Sequence, residues 1–215
     1  ETVIDTLSWL FLYNNRLTGQ IPSELGQTAL TEVRLQENKL SGMIPSELGL
    51  LTSMEYFYLY KNTDIKGRIP SEIAAMTVMT NLLLYDMALT GAIPTEVGTM
   101  FALKEVVLYN NQLAGPIPSE LGLLGGLEYL LLRDNVFESS IPTELGRLTN
   151  LFLLFLYNND LTGDIPSELG LLTSVKDLEI HSNQLIGTIP WELGQLQSTT
   201  QLTLSENSLI GTIPN

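Results

Sequence analysis

Residues 151–174 read LFLLFLYNNDLTGDIPSELGLLTS, and variants of this segment recur along nearly the whole chain. Each recurrence contains the dipeptide Ile-Pro, with its proline at position 22, 45, 70, 94, 118, 142, 166, 190 or 214. Successive prolines are 24 residues apart, except for one interval of 23 and one of 25. Because self-similarity at a fixed period of roughly 20–50 residues is the signature of repeat architectures, the sequence predicts a repeat protein.

Each repeat divides into a strand segment and a turn segment. In the strand segment, leucines alternate with other residues at period two, which is typical of a half-buried strand. One repeat has too few apolar residues to bury a core alone, so the repeats must stack and close a shared interior. The segment Pro-Ser-Glu-Leu-Gly predicts a short helical turn in which Ser is the N-cap, Glu lies near the N-terminus and Gly ends the turn.

The repeat unit, L-x-x-L-x-L-x-x-N-x-L-x-G-x-I-P, matches the leucine-rich repeat template, whose period is roughly 20–29 residues. Its L-T-G-x-I-P extension resembles the plant-specific subclass found in plant receptor-kinase ectodomains and polygalacturonase-inhibiting proteins. The hexapeptide IPSELG is also similar to the motif of leucine-rich repeat proteins of algae such as diatoms. The resemblance covers essentially the whole chain.

This resemblance implies an α/β solenoid, a right-handed leucine-rich repeat superhelix of about nine 24-residue coils. The family places a parallel β-sheet on the concave face and short 3-10 or helical turns on the convex face. Neither end carries a polar cap, and the paired cysteines usual in plant caps are missing. We therefore expect residues 1–215 to form a single solenoid that is an excerpt of a longer protein without its own caps.

An asparagine follows the strand segment in eight of the repeats: Asn15, Asn38, Asn62, Asn111, Asn135, Asn159, Asn183 and Asn207. We expect these side chains to point inward and bond the backbone of the turn, because a buried amide must be satisfied. The fourth repeat has Met87 at this position, and the third has one extra residue between Asn62 and Ile65. We expect local backbone irregularity at residues 61–68 and 85–89, with simple drift at a tolerant turn as the alternative explanation.

The aromatic residues are concentrated at outward positions of the predicted strands. All eight tyrosines fall in three outward columns, and the central column is wholly apolar from the third repeat to the seventh. An exposed apolar stripe on a soluble protein usually marks an interaction site, and tyrosine is enriched in binding surfaces. The expected ligand-binding residues are Tyr56, Tyr58, Tyr60, Leu83, Tyr85, Val107, Tyr109, Tyr129, Leu131, Phe155 and Tyr157. The alternative is that these residues only pack against one another as cross-strand ladders.

The composition excludes several function classes. Ten Lys and Arg against 24 Asp and Glu give a net charge of -14, which disfavours nucleic acid and anionic membrane surfaces as partners. With no Cys and one His, we expect neither disulfides nor a zinc site, and no cofactor. No apolar run reaches the length of a membrane span.

Two groups of residues suggest chemistry, but neither meets the requirements of a catalytic or metal site. The grouping of Glu179, His181 and Ser205 is typical of a hydrolase, but a continuous paired strand surface offers no oxyanion hole, so no enzyme activity is expected. A contact tuned by pH through His181 and Glu179 is the alternative use of that pair. The repeated turns carry the glutamates Glu24, Glu47, Glu72, Glu96, Glu120, Glu144, Glu168 and Glu192. We expect no metal there, because hard cations need convergent oxygen ligands rather than a monotonous row.

The leading hypothesis is a non-enzymatic module that binds a protein or peptide on its concave face, as a receptor ectodomain, an enzyme inhibitor or an adhesion protein does. We expect it to be extracellular or at the cell surface, with possible end-to-end contact to further repeats or other chains. The first alternative is a structural acidic solenoid of an extracellular matrix or larger assembly. The second alternative is ice binding, for which the available column is Thr18, Ser41, Lys66, Thr90, Ala114, Glu138, Thr162, Ile186 and Ile210. That column is too broken to form a regular threonine array.

Overall fold

The L-x-L segments form one continuous parallel sheet. The computed structural model describes residues 7–214, and within them nine three-residue strands pair in sequence order. These strands are β1 Trp9–Phe11, β3 Glu32–Arg34, β5 Tyr56–Tyr58, β7 Asn81–Leu83, β9 Glu105–Val107, β11 Tyr129–Leu131, β13 Leu153–Phe155, β15 Asp177–Glu179 and β17 Gln201–Thr203. The middle residue of each strand from β3 to β15 is buried, because alternate side chains of a strand point to opposite faces.

A second parallel sheet, which the sequence analysis did not predict, is built from the L-x-G segments. Within the described residues it has eight strands: β2 Thr18–Gln20, β4 Lys39–Gly42, β6 Asp64–Gly67, β8 Ala88–Gly91, β10 Gln112–Gly115, β12 Val136–Ser140, β14 Asp160–Asp164 and β16 Gln184–Ile186. Neighbouring strands of this sheet are displaced by two residues. Thr90 pairs with Gln112 rather than with Ala114, its equivalent in the next repeat.

The segment after each of the first eight Ile-Pro dipeptides forms a five-residue 3-10 turn, as predicted. Between residues 7 and 214 these turns are Ser23–Gln27, Ser46–Leu50, Ser71–Ala75, Thr95–Thr99, Ser119–Leu123, Thr143–Arg147, Ser167–Leu171 and Trp191–Gln195. The prediction that Ser caps the turn is wrong, because the preceding Pro is the N-cap and no side chain caps it. Ser instead lies inside the turn, and the hydroxyl of Ser46 donates to the carboxylate of Glu47 at 3.4 Å.

The glycine of the turn has a different role from the one predicted. Gly122 lies inside its 3-10 turn rather than ending it. A Cβ atom added there would lie 2.4 Å from the carbonyl oxygen of Glu144, in the turn of the next coil. Gly122 is therefore required for the close approach of neighbouring coils.

The asparagine side chains point inward and bond backbone groups, as predicted. The amide nitrogen of Asn135 donates to the carbonyl oxygens of Leu108 at 3.0 Å and Leu132 at 3.1 Å, and its Oδ1 accepts from the N–H of Leu113 at 3.0 Å. Each asparagine of the column from Asn38 to Asn207 therefore ties its own coil to the preceding one, whereas the side chain of Asn15, in the first coil, bonds only the backbone of its own coil among the described residues.

The two expected irregularities have different outcomes. The one at residues 61–68 is confirmed, because the extra residue lets the N–H of Ile65 donate to the carbonyl oxygen of Asn62 at 3.0 Å. The one at residues 85–89 is wrong. Met87 is buried, and its N–H donates to the carbonyl oxygen of Asn110 at 3.2 Å, as the equivalent N–H does in other coils.

Leucine, isoleucine, valine and methionine side chains from every coil form one continuous hydrophobic core between the two sheets and the turns. The core also contains Phe57 and Phe137, which are its largest almost fully buried side chains. Among the described residues, no helix is both long enough and apolar enough to cross a membrane.

Candidate functional site

The outward face of the nine-stranded sheet, here called the strand face, carries the predicted site. Its central column is in exact cross-strand register across all nine coils: Phe11, Arg34, Tyr58, Leu83, Val107, Leu131, Phe155, Glu179 and Thr203. The apolar part, from Tyr58 to Phe155, therefore forms a continuous stripe roughly 19 Å long at the ordinary strand spacing.

The eleven predicted site residues all lie on the strand face, but they differ in exposure. Tyr56 is 37% exposed, whereas Val107 is only 6% exposed and forms the floor of the stripe between its neighbours. The other nine are half-buried. Tyr56 and Tyr58 meet edge to face, with ring centroids 6.2 Å apart, and Phe155 is tilted against Tyr157 at 5.9 Å.

The column beside the stripe is a continuous stack of planar side chains. Tyr60 and Tyr85 stack with ring centroids 4.5 Å apart and an interplanar angle of 10°. Tyr85 and Tyr109 stack at 4.6 Å and 23°. We call this stacked column the tyrosine ladder; it consists of Tyr60, Tyr85, Tyr109, Arg133, Tyr157 and His181.

The second half of the tyrosine ladder is completed by a cation and an imidazole. The guanidinium carbon of Arg133 lies 3.9 Å from the Tyr109 ring centroid and 5.6 Å from that of Tyr157. His181 then stacks on Tyr157 at 4.4 Å and 15°. Arg133 also makes an ion pair with Asp134. Because the ring faces inside the ladder cover one another, the ladder presents mainly ring edges and polar tips to a ligand.

Stacking also changes the acidity of the phenols. Burial raises the pKa of Tyr85 far above its ordinary value, and the neighbouring Tyr60 and Tyr109 phenols raise it further. Burial raises the pKa of Tyr109 and of Tyr157 as well, although the positive charge of Arg133 opposes both shifts. These hydroxyl groups are therefore uncharged hydrogen-bonding groups at neutral pH.

A second arginine is held between aromatic rings in the coil that precedes the stripe. Arg34 lies between the rings of Phe11, at 5.0 Å, and Tyr58, at 5.5 Å, and makes a 2.5 Å ion pair with Glu32. The sequence analysis missed this arrangement. The available signal was the spacing, because Arg34 and Arg133 each occupy a position where other repeats have an aromatic residue.

The grouping of Glu179, His181 and Ser205 is only partly brought together. Nδ1 of His181 is buried, lies 3.9 Å from Glu179 and has no hydrogen-bond partner among the described residues. Glu179 accepts from the amide of Gln201 at 2.9 Å. The carbonyl oxygen of Ser205 accepts from the N–H of Ser182 at 3.0 Å, a backbone hydrogen bond that involves neither Glu179 nor His181. The arrangement is a packed polar end to the tyrosine ladder.

The remaining candidate surfaces are less regular. The column considered for ice binding lies on the second sheet, where Lys66 and Glu138 interrupt it and the two-residue displacement separates equivalent positions. Among residues 7–214, no cluster of three or more His, Cys, Asp or Glu side chains could hold a metal ion.

Comparison with known proteins agrees with this architecture. The Leucine Rich Repeat family model matches residues 6–28, 29–51 and 102–124. No curated protein sequence matches the chain. Among solved structures, the plant peptide hormone receptor RGFR1 in complex with RGF2 superposes with a TM-score of 0.94 at 35% identity, over 98% of this chain and 34% of that one.

Two further solved structures are similar to the chain over nearly its whole length. The ectodomain of the receptor kinase GASSHO1/SCHENGEN3 from Arabidopsis thaliana, in complex with CASPARIAN STRIP INTEGRITY FACTOR 2, has a TM-score of 0.92 at 37% identity, over 95% of this chain and 25% of that one. A plant ice-binding protein has a TM-score of 0.76 at 26% identity, over 98% of this chain and 68% of that one. The chain thus spans a quarter to a third of the two receptor structures. Its repeat motif, its fold and these similarities show that the chain belongs to the leucine-rich repeat family, with the plant-type repeat of receptor ectodomains.

Proposed function

We propose that the chain is a non-enzymatic module that binds a peptide or protein on its strand face, as part of an extracellular or cell-surface protein. The observation that carries the proposal is the apolar stripe from Tyr58 to Phe155, which five consecutive coils hold in register. A repeat scaffold does not need aromatic residues at outward positions, because its core is already complete without them.

The similar receptors support a peptide as the ligand. RGFR1 and GASSHO1/SCHENGEN3 were each solved in complex with a partner, RGF2 and CASPARIAN STRIP INTEGRITY FACTOR 2 respectively. The stripe also suits an extended peptide in size, because roughly 19 Å accommodates about six residues of extended chain.

The tyrosine ladder and the stripe would make different kinds of contact with a ligand. The tyrosine ladder is pre-organised by stacking, so a ligand that meets the tips of Tyr85 and Tyr109 loses little additional side-chain entropy. The neighbouring stripe supplies the desolvated apolar contacts, of which Leu131 and Phe155 are examples. Ladder packing and ligand binding are therefore compatible uses of the same residues.

Selection of peptides on the 215-residue chain tests the proposal. A displayed library of random peptides is enriched on the protein, and the affinity of a selected peptide is measured for Leu131→Ala, Phe155→Ala and Phe101→Ala. Phe101 is the control, because it is 67% exposed but lies beyond the turn Thr95–Thr99 rather than on the strand face. We expect each strand-face variant to weaken binding about fivefold or more. Equal affinities for all three variants would place the ligand elsewhere.

A structural solenoid is the second candidate function, and the turn side supplies the observation that favours it. Leu50, Leu123 and Leu171 occupy the last position of their 3-10 turns and are 66%, 51% and 53% exposed. They share one column of the turn side, in which Ala75, Thr99 and Arg147 occupy the coils between them. Exposed leucines on one side of a solenoid are suited to lateral assembly. Replacement of all three by serine would then reduce self-association in sedimentation velocity, whereas Phe155→Ala would leave it unchanged.

A further inference from the structure

Three tyrosines of the tyrosine ladder are held in an arrangement that ligand binding alone does not require. Tyr60, Tyr85 and Tyr109 come from three successive coils, and their rings lie face to face at 4.5 and 4.6 Å. The backbone fixes them there, since the N–H of Lys61 donates to the carbonyl oxygen of Tyr85 at 3.0 Å and that of Asp86 to Tyr109 at 3.1 Å. Their separation is therefore set by the sheet and not by flexible loops.

Tyr85 is the only tyrosine in the described part of the chain with a tyrosine ring stacked on each side. Tyr129 has Phe152 as its aromatic neighbour, tilted at 6.2 Å, and Tyr157 stacks on His181. Tyr56 and Tyr58 meet edge to face at 6.2 Å and 66°. Both face-to-face tyrosine pairs thus share Tyr85.

We propose that Tyr85 is a site of oxidative cross-linking, at which it forms dityrosine with Tyr60 or Tyr109 when a haem peroxidase and hydrogen peroxide supply the oxidising equivalents. Each phenol loses one electron and one proton to become a phenoxyl radical. The two radicals join through the ring carbons next to their hydroxyl groups. Each coupled carbon then loses its hydrogen as a proton and the neighbouring oxygen gains one, which restores two aromatic phenols.

The overall reaction is balanced. Two tyrosines and one hydrogen peroxide give one dityrosine and two waters, so the two electrons and two protons lost by the phenols reduce the peroxide. Radical coupling requires that two oxidised rings meet within their lifetime, and the ladder places the ring of Tyr85 against those of its two neighbours. Transfer of an electron together with a proton from a neighbouring phenol also lets a radical formed at any of the three tyrosines reach the pair that couples.

The product would change the solenoid locally. A bond between Tyr60 and Tyr85 joins two neighbouring coils and closes a loop of the chain between them, which constrains the unfolded state as other covalent cross-links do. The ring edges that the proposed peptide ligand would meet are altered at the same time. The cross-link depends on the stacking geometry and does not depend on the proposed peptide binding.

The test is oxidation of the dilute, folded 215-residue chain with peroxidase and hydrogen peroxide. Dityrosine fluorescence is measured in the monomer band of a denaturing gel, and the cross-linked peptides are identified by mass spectrometry. We expect peptides containing residue 85 joined to peptides containing residue 60 or 109. Tyr85→Phe should abolish most of the monomer dityrosine, whereas the matched control Tyr129→Phe should leave the yield unchanged.

Two further variants make the result specific. Tyr60→Phe should leave only the link between residues 85 and 109, and Tyr109→Phe only the link between residues 60 and 85. Phenylalanine keeps the stacked ring, and circular dichroism verifies that each variant is folded. Oxidation in concentrated urea should remove the preference for Tyr85. The proposal is overturned if Tyr85→Phe yields as much monomer dityrosine as the unmodified chain, or if dityrosine forms only in covalent dimers.

Discussion

The N–H of Ile65 donates a 3.0 Å hydrogen bond to the carbonyl oxygen of Asn62, three residues earlier in the same coil. In other coils the equivalent N–H donates to the asparagine of the next coil, as the N–H of Leu40 does to Oδ1 of Asn62 at 3.0 Å. The third coil cannot use that bond, because the next coil has Met87 in place of asparagine. The residue inserted after Asn62 thus compensates for Met87, because it gives the N–H of Ile65 a new acceptor.

Compensation predicts strong coupling between the two sites. Deletion of Thr63 alone leaves the buried N–H of Ile65 without a partner, and Met87→Asn alone leaves a buried Oδ1 without a donor, so each should cost about 1–3 kcal/mol of unfolding free energy. The combination restores the regular repeat and should cost less than the sum. A double-mutant cycle of urea denaturation measures this coupling, and strictly additive costs would show that the two changes are independent.

Removal of an internal asparagine should be more costly than removal of an exposed one. Asn135→Ala removes the partners of one backbone N–H and two carbonyl groups, so we expect a loss of about 2–4 kcal/mol. Asn15→Ala is the matched control, since within residues 7–214 the Asn15 side chain bonds only the carbonyl oxygens of Leu12 and Tyr13 in its own coil. Urea denaturation of both variants checks the difference, and similar losses would contradict the stabilising role of the internal asparagines.

Ser139 is under backbone strain that glycine would relieve. It has φ of +72° at the position where the other coils have glycine, for example Gly163 with φ of +78°. Ser139→Gly should therefore raise the free energy of unfolding by about 1 kcal/mol. Ser140→Gly serves as the control, because it adds backbone entropy without relieving a positive φ, and it should be neutral or destabilising. A loss of stability in Ser139→Gly would mean that its hydroxyl matters more than its backbone angle.

The close approach at Gly122 predicts a position-dependent effect of alanine. Gly122→Ala places a methyl group against the carbonyl oxygen of Glu144 and should cost about 1–3 kcal/mol. Gly194 occupies the same position in its own turn, but nothing lies within 4 Å of an added Cβ, so Gly194→Ala should be tolerated. Thermal denaturation compares the two. Ala74 stands at this position in its coil and shows that the fold can accommodate a methyl group there.

The buried phenols predict a loss of stability in alkaline solution. Burial raises the pKa of Tyr85, Tyr109 and Tyr157 above the value of about 10 that the phenols have when the chain is unfolded. The folded state therefore holds these protons more tightly. Its extra stability is fully present below about pH 10 and is lost as the pH rises through the folded pKa values.

Denaturation midpoints between about pH 8 and pH 11 measure this dependence. Tyr85→Phe removes the most strongly shifted group, so the fall in stability across this range should become shallower. Tyr13→Phe is the control, because Tyr13 is exposed on the first coil. An identical alkaline fall in all three proteins would show that other groups dominate it.

Much of the fold follows from the sequence because the repeat multiplies a weak local signal. The strand columns, the internal asparagines and the 3-10 turns are all visible as fixed positions in the 24-residue unit. The second sheet was not predicted, since an L-x-G segment with glycine at positive φ has the composition of a turn. The capping serine was wrong for a related reason, because proline already supplies the extended residue before a 3-10 turn and leaves serine inside it.

The candidate site was predictable in position but not in geometry. Alternation places Tyr60, Tyr85 and Tyr109 in one outward column, yet whether rings stack or splay depends on side-chain rotamers that spacing does not specify. The burial of Val107 is a further example, because it arises from the size of its neighbours rather than from its own position. The insertion of Arg34 and Arg133 between aromatic rings likewise required coordinates.

Hydroxyl-radical footprinting with a selected peptide tests the central claim most directly, because it reports which side chains the ligand covers. The claim is that the ligand lies along the stripe from Tyr58 to Phe155. Bound peptide should therefore slow the labelling of Tyr58, Leu131 and Phe155 and leave that of Phe101 unchanged. Protection of Phe101 together with unchanged labelling of the stripe would contradict the account.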